Sequence, residues 1–171
     1  MRFWLSKMFE FEEDMKHIAL ILACISLFPL LSISDPAVKE ITSEEILAAG
    51  PEWQEGYDRF QPESDMIDAL KSKLGKDMKI DVYLGLWCPD SANNVPPFLK
   101  ILNQLGASVP VRYFSVERKS SREVRYYVDK VKVDRVPTFI FFRGEREVGR
   151  IVENPKVSLL EDMLAIVGSA N

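Results

Sequence analysis

Hydrophobic and polar positions follow two periods along this chain, and the switches between them mark out its elements. Residues 18–31, IALILACISLFPLL, are apolar without a period and are interrupted by Pro29. From Thr42 the pattern becomes helical. Thr42 and Glu45 have the spacing of a capping box, each side chain bonding the other's backbone amide, which predicts a short helix over 43–49 that Gly50-Pro51 stops. Trp53, Tyr57 and Phe60 recur at helical spacing and predict a second short helix with a packing stripe rather than a ligand cage. Met66, Ile67, Leu70 and Leu74 predict a third, ending at Gly75.

Ile80 to Leu86 then mixes Val, Tyr and Leu with little alternation, as expected of a central strand covered on both faces. Helical spacing resumes from Ser91, with Leu99, Ile101, Leu102 and Leu105 apolar and Gly106 closing the helix. Pro96 and Pro97 must kink or restart it, since each ring removes an amide donor and crowds the preceding turn. Val109 to Val116 reads as a strand, residues 121–130 as a helix burying Val124, Tyr127 and Val128, and Val136 to Phe142 as another strand. Arg143-Gly144-Glu145 turns the chain so that Arg146 to Val152 returns as a hairpin arm. Leu159, Leu160, Met163, Leu164 and Val167 line one face of a closing helix that Gly168 stops. The order predicts an α/β fold in which a βαβ half joins a ββα half, a central mixed sheet flanked by helices.

Composition adds mainly exclusions. The 171 residues, 47% hydrophobic and 28% charged, suit one globular domain. A net charge of -4 leaves no basic excess with which to hold nucleic acid. The single histidine, His17, lies in the leader, so neither a Cys-His dyad nor a Cys/His zinc cluster can be assembled, and no metal or cofactor is expected.

The apolar run at residues 18–31 is too short for a membrane span of about 20 residues. Met15-Lys16-His17 before it and Ser32-Ile33-Ser34 after it predict a secretory signal cleaved before Asp35, hence an exported protein, periplasmic or extracellular, with no stable membrane span in its mature chain. Glu10, Glu12, Glu13 and Asp14 make residues 1–14 a poor signal start, so translation is expected to begin at Met15. Ile21-Leu22-Ala23-Cys24 also resembles a lipobox; lipidation at Cys24 or an uncleaved anchor is the alternative. Residues 1–34 are thus the leader, 35–63 a helical N-terminal extension and 64–171 the main domain. Without Cys24 the chain keeps one thiol and no internal disulfide.

That thiol is Cys88, within Trp87-Cys88-Pro89-Asp90-Ser91 at the expected strand-to-helix turn. Amides at a helix N-terminus favour an anion, and the thiolate is the nucleophilic form of cysteine. Ser91 either donates a hydrogen bond to the sulfur or caps the helix; Asp90, whose charge opposes the thiolate, is a solvated carboxylate at the helix start rather than an acid-base group; Trp87 shields one side of the thiol and Pro89 shapes the turn. Cys88 can alternatively be an inert buried hydrophobe. Charged runs such as Glu117-Arg118-Lys119 and Arg143 to Arg150 read as solvated faces.

Over residues 64–168 the pattern resembles the thioredoxin superfamily. Trp87-Cys88 follows a central strand as in that family's WCxxC site, Pro96 matches its helix-kinking proline, Val136-Pro137-Thr138 matches its cis-proline loop, and Gly144 and Gly149 fit its closing hairpin. More narrowly the chain resembles secreted thioredoxin-like proteins with a WCxDS site followed by VPTFIF and GRIVE. The resemblance implies that Pro137 is cis and faces Cys88, and that Val136, Pro137 and Thr138 form the substrate-binding loop, with the Val136 backbone free to pair with an extended substrate. Two departures bear on function. Ser91 replaces the second cysteine and cannot attack a mixed disulfide, and the position of the family's buried acid falls on Val82, with Asp81 on the opposite face. The expected activity is therefore monothiol exchange through Cys88 with protein or peptide disulfides or glutathionylated thiols, an external thiol resolving the intermediate. A redox-inactive peptide-binding or chaperone-like module is the alternative. Peroxide reduction through a Cys88 sulfenic acid is a third, disfavoured because the motif holds no arginine to activate the oxidant.

Overall fold

The computed structural model describes residues 38–106, 109–118, 126–128 and 131–169; the expected leader and its cleavage site lie outside them. The sheet is built on strand β2 (Met78–Leu84), which pairs in parallel with β3 (Val111–Val116) and antiparallel with β6 (Thr138–Arg143), so that Val82 stands between Tyr113 and Phe139. β1 (Val38–Ile41) adds antiparallel to β3, and β7 (Arg146–Val152) adds antiparallel to β6, giving the order β1-β3-β2-β6-β7. A separate ribbon pairs β4 (Tyr126–Val128) with β5 (Val131–Val133).

Five helices accompany the sheet: α1 (Ser43–Leu47), α2 (Pro51–Arg59), α3 (Ser64–Lys73), α4 (Pro89–Leu105) and α5 (Leu159–Ser169). Strand period decides where they pack. Met78, Ile80, Val82 and Leu84 enter the larger core with Ile46, Trp53, Leu70, Phe98 and Met163, one from each helix. Tyr83 points the other way, into a second cluster that contains Phe114, Val116, Val133, Val136, Ile140 and Cys88. Both faces of β2 are therefore buried from Ile80 on, which is why Val82, Tyr83 and Leu84 are apolar in succession; the strand ends at Leu84, short of the expected Leu86. The hairpin β6-β7 carries an irregularity at Phe141/Phe142, and α5 lies so close to it that a Cβ on Gly149 would fall 2.8 Å from Ile166 Cγ2.

Several expectations hold locally. Thr42 Oγ1 accepts from the Glu45 amide at 3.2 Å while the Thr42 amide donates to Glu45 Oε2 at 2.8 Å, completing the capping box of α1. Trp53 is fully buried, and Tyr57 and Phe60 pack against the same core, with Lys100 Nζ 4.5 Å from the Tyr57 ring centroid.

Others are corrected. β1 was not predicted, because its four residues carry no alternation and become a strand only by pairing with β3. Of the helix expected over 121–130, Tyr126–Val128 is instead strand β4, an aromatic and β-branched run paired with Val131–Val133; residues 121–125 and 129–130 lie outside the described ones. Helix α4 begins at Pro89, whose fixed φ suits a first helical position, and runs through Pro96 and Pro97 without restarting. Gly168 is an internal residue of α5.

Asp81 occupies the face opposite Val82, as the alternation requires. It is 2% exposed and bound in two-pronged fashion by Arg112, with Nε 3.0 Å from Oδ1 and Nη2 2.7 Å from Oδ2. Removing the cation would leave the carboxylate buried without its counter-charge. We therefore predict that Arg112→Met lowers unfolding stability by about 3 kcal/mol in urea titrations, and that adding Asp81→Asn restores more than half of the loss.

Candidate functional site

Strand β2 ends at Leu84, and Gly85-Leu86-Trp87 turns the chain into α4. The turn closes with a hydrogen bond from the Cys88 amide to the Gly85 carbonyl at 2.9 Å. Cys88 is the N-cap residue, extended at φ -98° and ψ 119°, and its carbonyl accepts from the Ala92 amide at 3.1 Å. Pro89 follows, exposed at the first helical position, and Asp90 is half-buried in the first turn, where a carboxylate complements the helix dipole.

The Cys88 side chain does not cap its own helix. It is reduced and 8% exposed, and its Sγ donates to the Val136 carbonyl oxygen at 3.4 Å. Val136-Pro137 is a cis peptide, and the Cys88 side chain is in direct contact with this loop at the Val136 carbonyl. The loop is fixed on both flanks. Thr138 Oγ1 donates to the Arg135 carbonyl at 2.7 Å, and the Pro137 carbonyl accepts from the Glu153 amide at 2.7 Å. Glu153 adopts a left-handed φ of 59°, and its carboxylate pairs with Arg135 at 2.6 Å. That pairing holds the Arg135 guanidinium above its already high ordinary pKa, chiefly through the hydrogen bond to Glu153.

Ser91 is fully buried, and its Oγ accepts from the Gly85 amide at 3.2 Å. Neither role expected for Ser91 is found: it makes no hydrogen bond to Cys88 and it is not the N-cap, but ties the start of α4 to the end of β2. Trp87, by contrast, is 39% exposed. Its Nε1 donates to the Val116 carbonyl at 3.0 Å, and its ring lies over Gly85 so closely that a Cβ there would be 2.8 Å from Cε2. The Arg118 guanidinium lies 5.3 Å from the ring centroid. Leu86, 39% exposed, completes an apolar patch beside the thiol.

All eight residues singled out in the sequence, Trp87 to Ser91 and Val136 to Thr138, therefore gather at one end of the sheet. Cys88 and Val136 meet directly, whereas Thr138 and Ser91 act as ties. Sequence reasoning missed Gly85, Arg118 and the Arg135–Glu153 clasp. A glycine between a strand and a tryptophan was an available signal for the first; Arg118 was hidden in a charged run, and Glu153 is distant in sequence. Among the described residues no cluster of His, Cys, Asp and Glu could hold a metal ion, and no helix is long and apolar enough to cross a membrane.

A family model described as thioredoxin matches residues 38–164. Among solved structures, the chain is similar to a protein of unknown function from Pseudomonas aeruginosa, with a TM-score of 0.50 and 18% identity over 77% of this chain and 88% of that one. It also aligns with an HIV epitope-scaffold at a TM-score of 0.49 and 17% identity, over the same 77% and 88%. No curated protein matches the chain. At 18% identity the likeness to the Pseudomonas protein bears on the fold alone.

The contact between Gly85 and Trp87 is open to a direct check. Gly85→Ala would force the indole off the strand end and break its bond to Val116, costing about 1 kcal/mol. In the chain from Asp35, which lacks Trp4, we predict a matching loss of stability together with stronger acrylamide quenching of tryptophan fluorescence, since buried Trp53 gives no such response; unchanged quenching would contradict the placement.

Proposed function

The chain belongs to the thioredoxin family, and on that premise we propose that it is an exported protein carrying out monothiol thiol-disulfide exchange through Cys88. The observation that carries this reading is the hydrogen bond from Cys88 Sγ to the Val136 carbonyl, at 3.4 Å, across the cis peptide before Pro137. It sets the sulfur against a loop whose backbone, on this reading, pairs with an extended substrate.

The chemistry follows from the inventory. Cys88 releases its proton to solvent and the sulfur attacks a disulfide R–S–S–R′, forming Cys88–S–S–R and expelling R′S⁻, which takes up a proton. Loss of the thiol donor frees the Val136 carbonyl to accept a backbone N–H from the attached substrate, so covalent capture and strand pairing support each other. Ser91, buried and bonded to Gly85, cannot supply the second attack. An external thiol R″SH therefore attacks the mixed disulfide, releasing R–S–S–R″ and regenerating the Cys88 thiol, so the protein is unchanged and the electrons come from outside. Protein or peptide disulfides and glutathionylated thiols fit as substrates, glutathione as the resolving thiol. Export rests on the signal-like residues 15–34.

One observation favours a second reading, a peptide-binding module without turnover. The thiol is 8% exposed and its proton is already engaged, beside exposed Leu86 and Trp87. The two readings separate in one assay. With a glutathionylated peptide and excess reduced glutathione, the mature protein is expected to accelerate release of the peptide thiol, and Cys88→Ser to fall to the rate of glutathione alone. Equal rates for both proteins would leave the binding module as the better account.

A further inference from the structure

Among the described residues, three cations of β5, β7 and the loop before β6 are committed to carboxylates. Arg135 pairs with Glu153 at 2.6 Å, Arg150 with Glu147 at 2.6 Å, and Lys132 with Asp134 at 3.1 Å. Arg118 differs. It is exposed two residues beyond the end of β3, and among the described residues its contact is with a ring rather than a carboxylate. The ring is that of Trp87, the chain neighbour of Cys88, and it is not free to swing: Nε1 is bonded to Val116 and the ring lies on Gly85. A guanidinium laid on an aromatic face is held by the ring quadrupole while its edge N–H groups stay available, and those groups form a planar fork matched to a carboxylate.

The overall charge makes this placement informative. With a net charge of -4 the protein repels anionic substrates at long range. Screening in physiological salt confines each charge to roughly 8 Å, so selection at the thiol is set by the charges beside it. Near the thiol the structure presents the Asp90 carboxylate in the first turn of α4 and, on the ring of the tryptophan that precedes Cys88, an arginine with no described acidic partner.

We infer that Arg118, held on Trp87, is a specificity residue that selects disulfides carrying a carboxylate close to the S–S bond. The inference rests on the exchange reading above and names the substrate class for it. The covalent step is unchanged: Cys88 sulfur bonds one sulfur of the substrate, and the other leaves as a thiolate that takes up a proton. Arg118 orients the carboxylate-bearing half during attack. That carboxylate can come from a glutathionyl group or from an Asp or Glu beside a substrate cysteine; both present the same group to the fork.

The test compares, in one protein, rates of mixed-disulfide formation on Cys88 with dithiodipropionate (anionic), hydroxyethyl disulfide (neutral) and cystamine (cationic). In the wild type the anionic disulfide is expected to react about fivefold faster than the neutral one, the size of one exposed charge pair, with the ratio shrinking as salt is raised. Arg118→Gln brings the ratio close to one, Arg118→Glu inverts it in favour of cystamine, and Arg118→Lys retains part of it. Two further arms, a glutathionylated neutral peptide and a peptide disulfide with Asp beside its cysteine and a neutral leaving thiol, identify the source by which loses more on Arg118→Gln. If the neutral disulfide reacts but the ratio is the same in wild type and Arg118→Gln, this inference is overturned and exchange at Cys88 stands. If none of the disulfides reacts at Cys88, both fail.

Discussion

Burial of β2 on both faces is the constraint from which the rest of the molecule follows. A strand paired with β3 on one side and β6 on the other has no free edge, and its alternating side chains divide between the two apolar clusters that cover its faces. The division makes Val82 a core residue and sends Asp81 to the other face, where burial is tolerable only with Arg112 in contact. It also fixes where the strand stops. Gly85, lacking a side chain, lets the Trp87 ring lie over the strand end, and the turn delivers Cys88 to the loop from the neighbouring strand.

On the proposed reading, Cys88 is a thioredoxin-type nucleophile without the parts that would let such a site work alone. Where a resolving thiol would stand, a buried hydroxyl instead ties helix to strand. Where a buried acid would stand, Val82 contributes to packing, and the nearby carboxylate is spent on an ion pair. What remains is a thiol held by a backbone carbonyl in a loop that is itself fixed by Thr138 and Glu153. Rigid placement of one sulfur suits a reaction in which the substrate brings one disulfide and the solution brings the second thiol.

Most of this was legible in the sequence because it depends on local signals. The capping box at Thr42 and Glu45, the little-alternating run from Ile80 to Leu86, and the motifs Trp87-Cys88 and Val136-Pro137 each carry a physical reason within a few residues. The failures have the opposite character. Val38–Ile41 is a strand because β3 offers it an edge, and Tyr126–Val128 pairs with Val131–Val133 although its apolar spacing also fits a helix. Arg118 looked like solvated charge because nothing local shows that Val116 will anchor an indole beneath it. Ser91 was read as either a thiol partner or a cap, and only the fold reveals that Gly85 claims it.

The central claim is that Cys88 takes up and gives back a substrate thiol. Its most direct measurement is the intact mass of the protein after brief exposure to glutathione disulfide, acid-quenched before and after addition of reduced glutathione. The account predicts one glutathione on each chain, mapped to Cys88, that discharges when the second thiol is added. A thiol that stays unmodified in the folded protein, or an adduct that reduced glutathione does not remove, would contradict it.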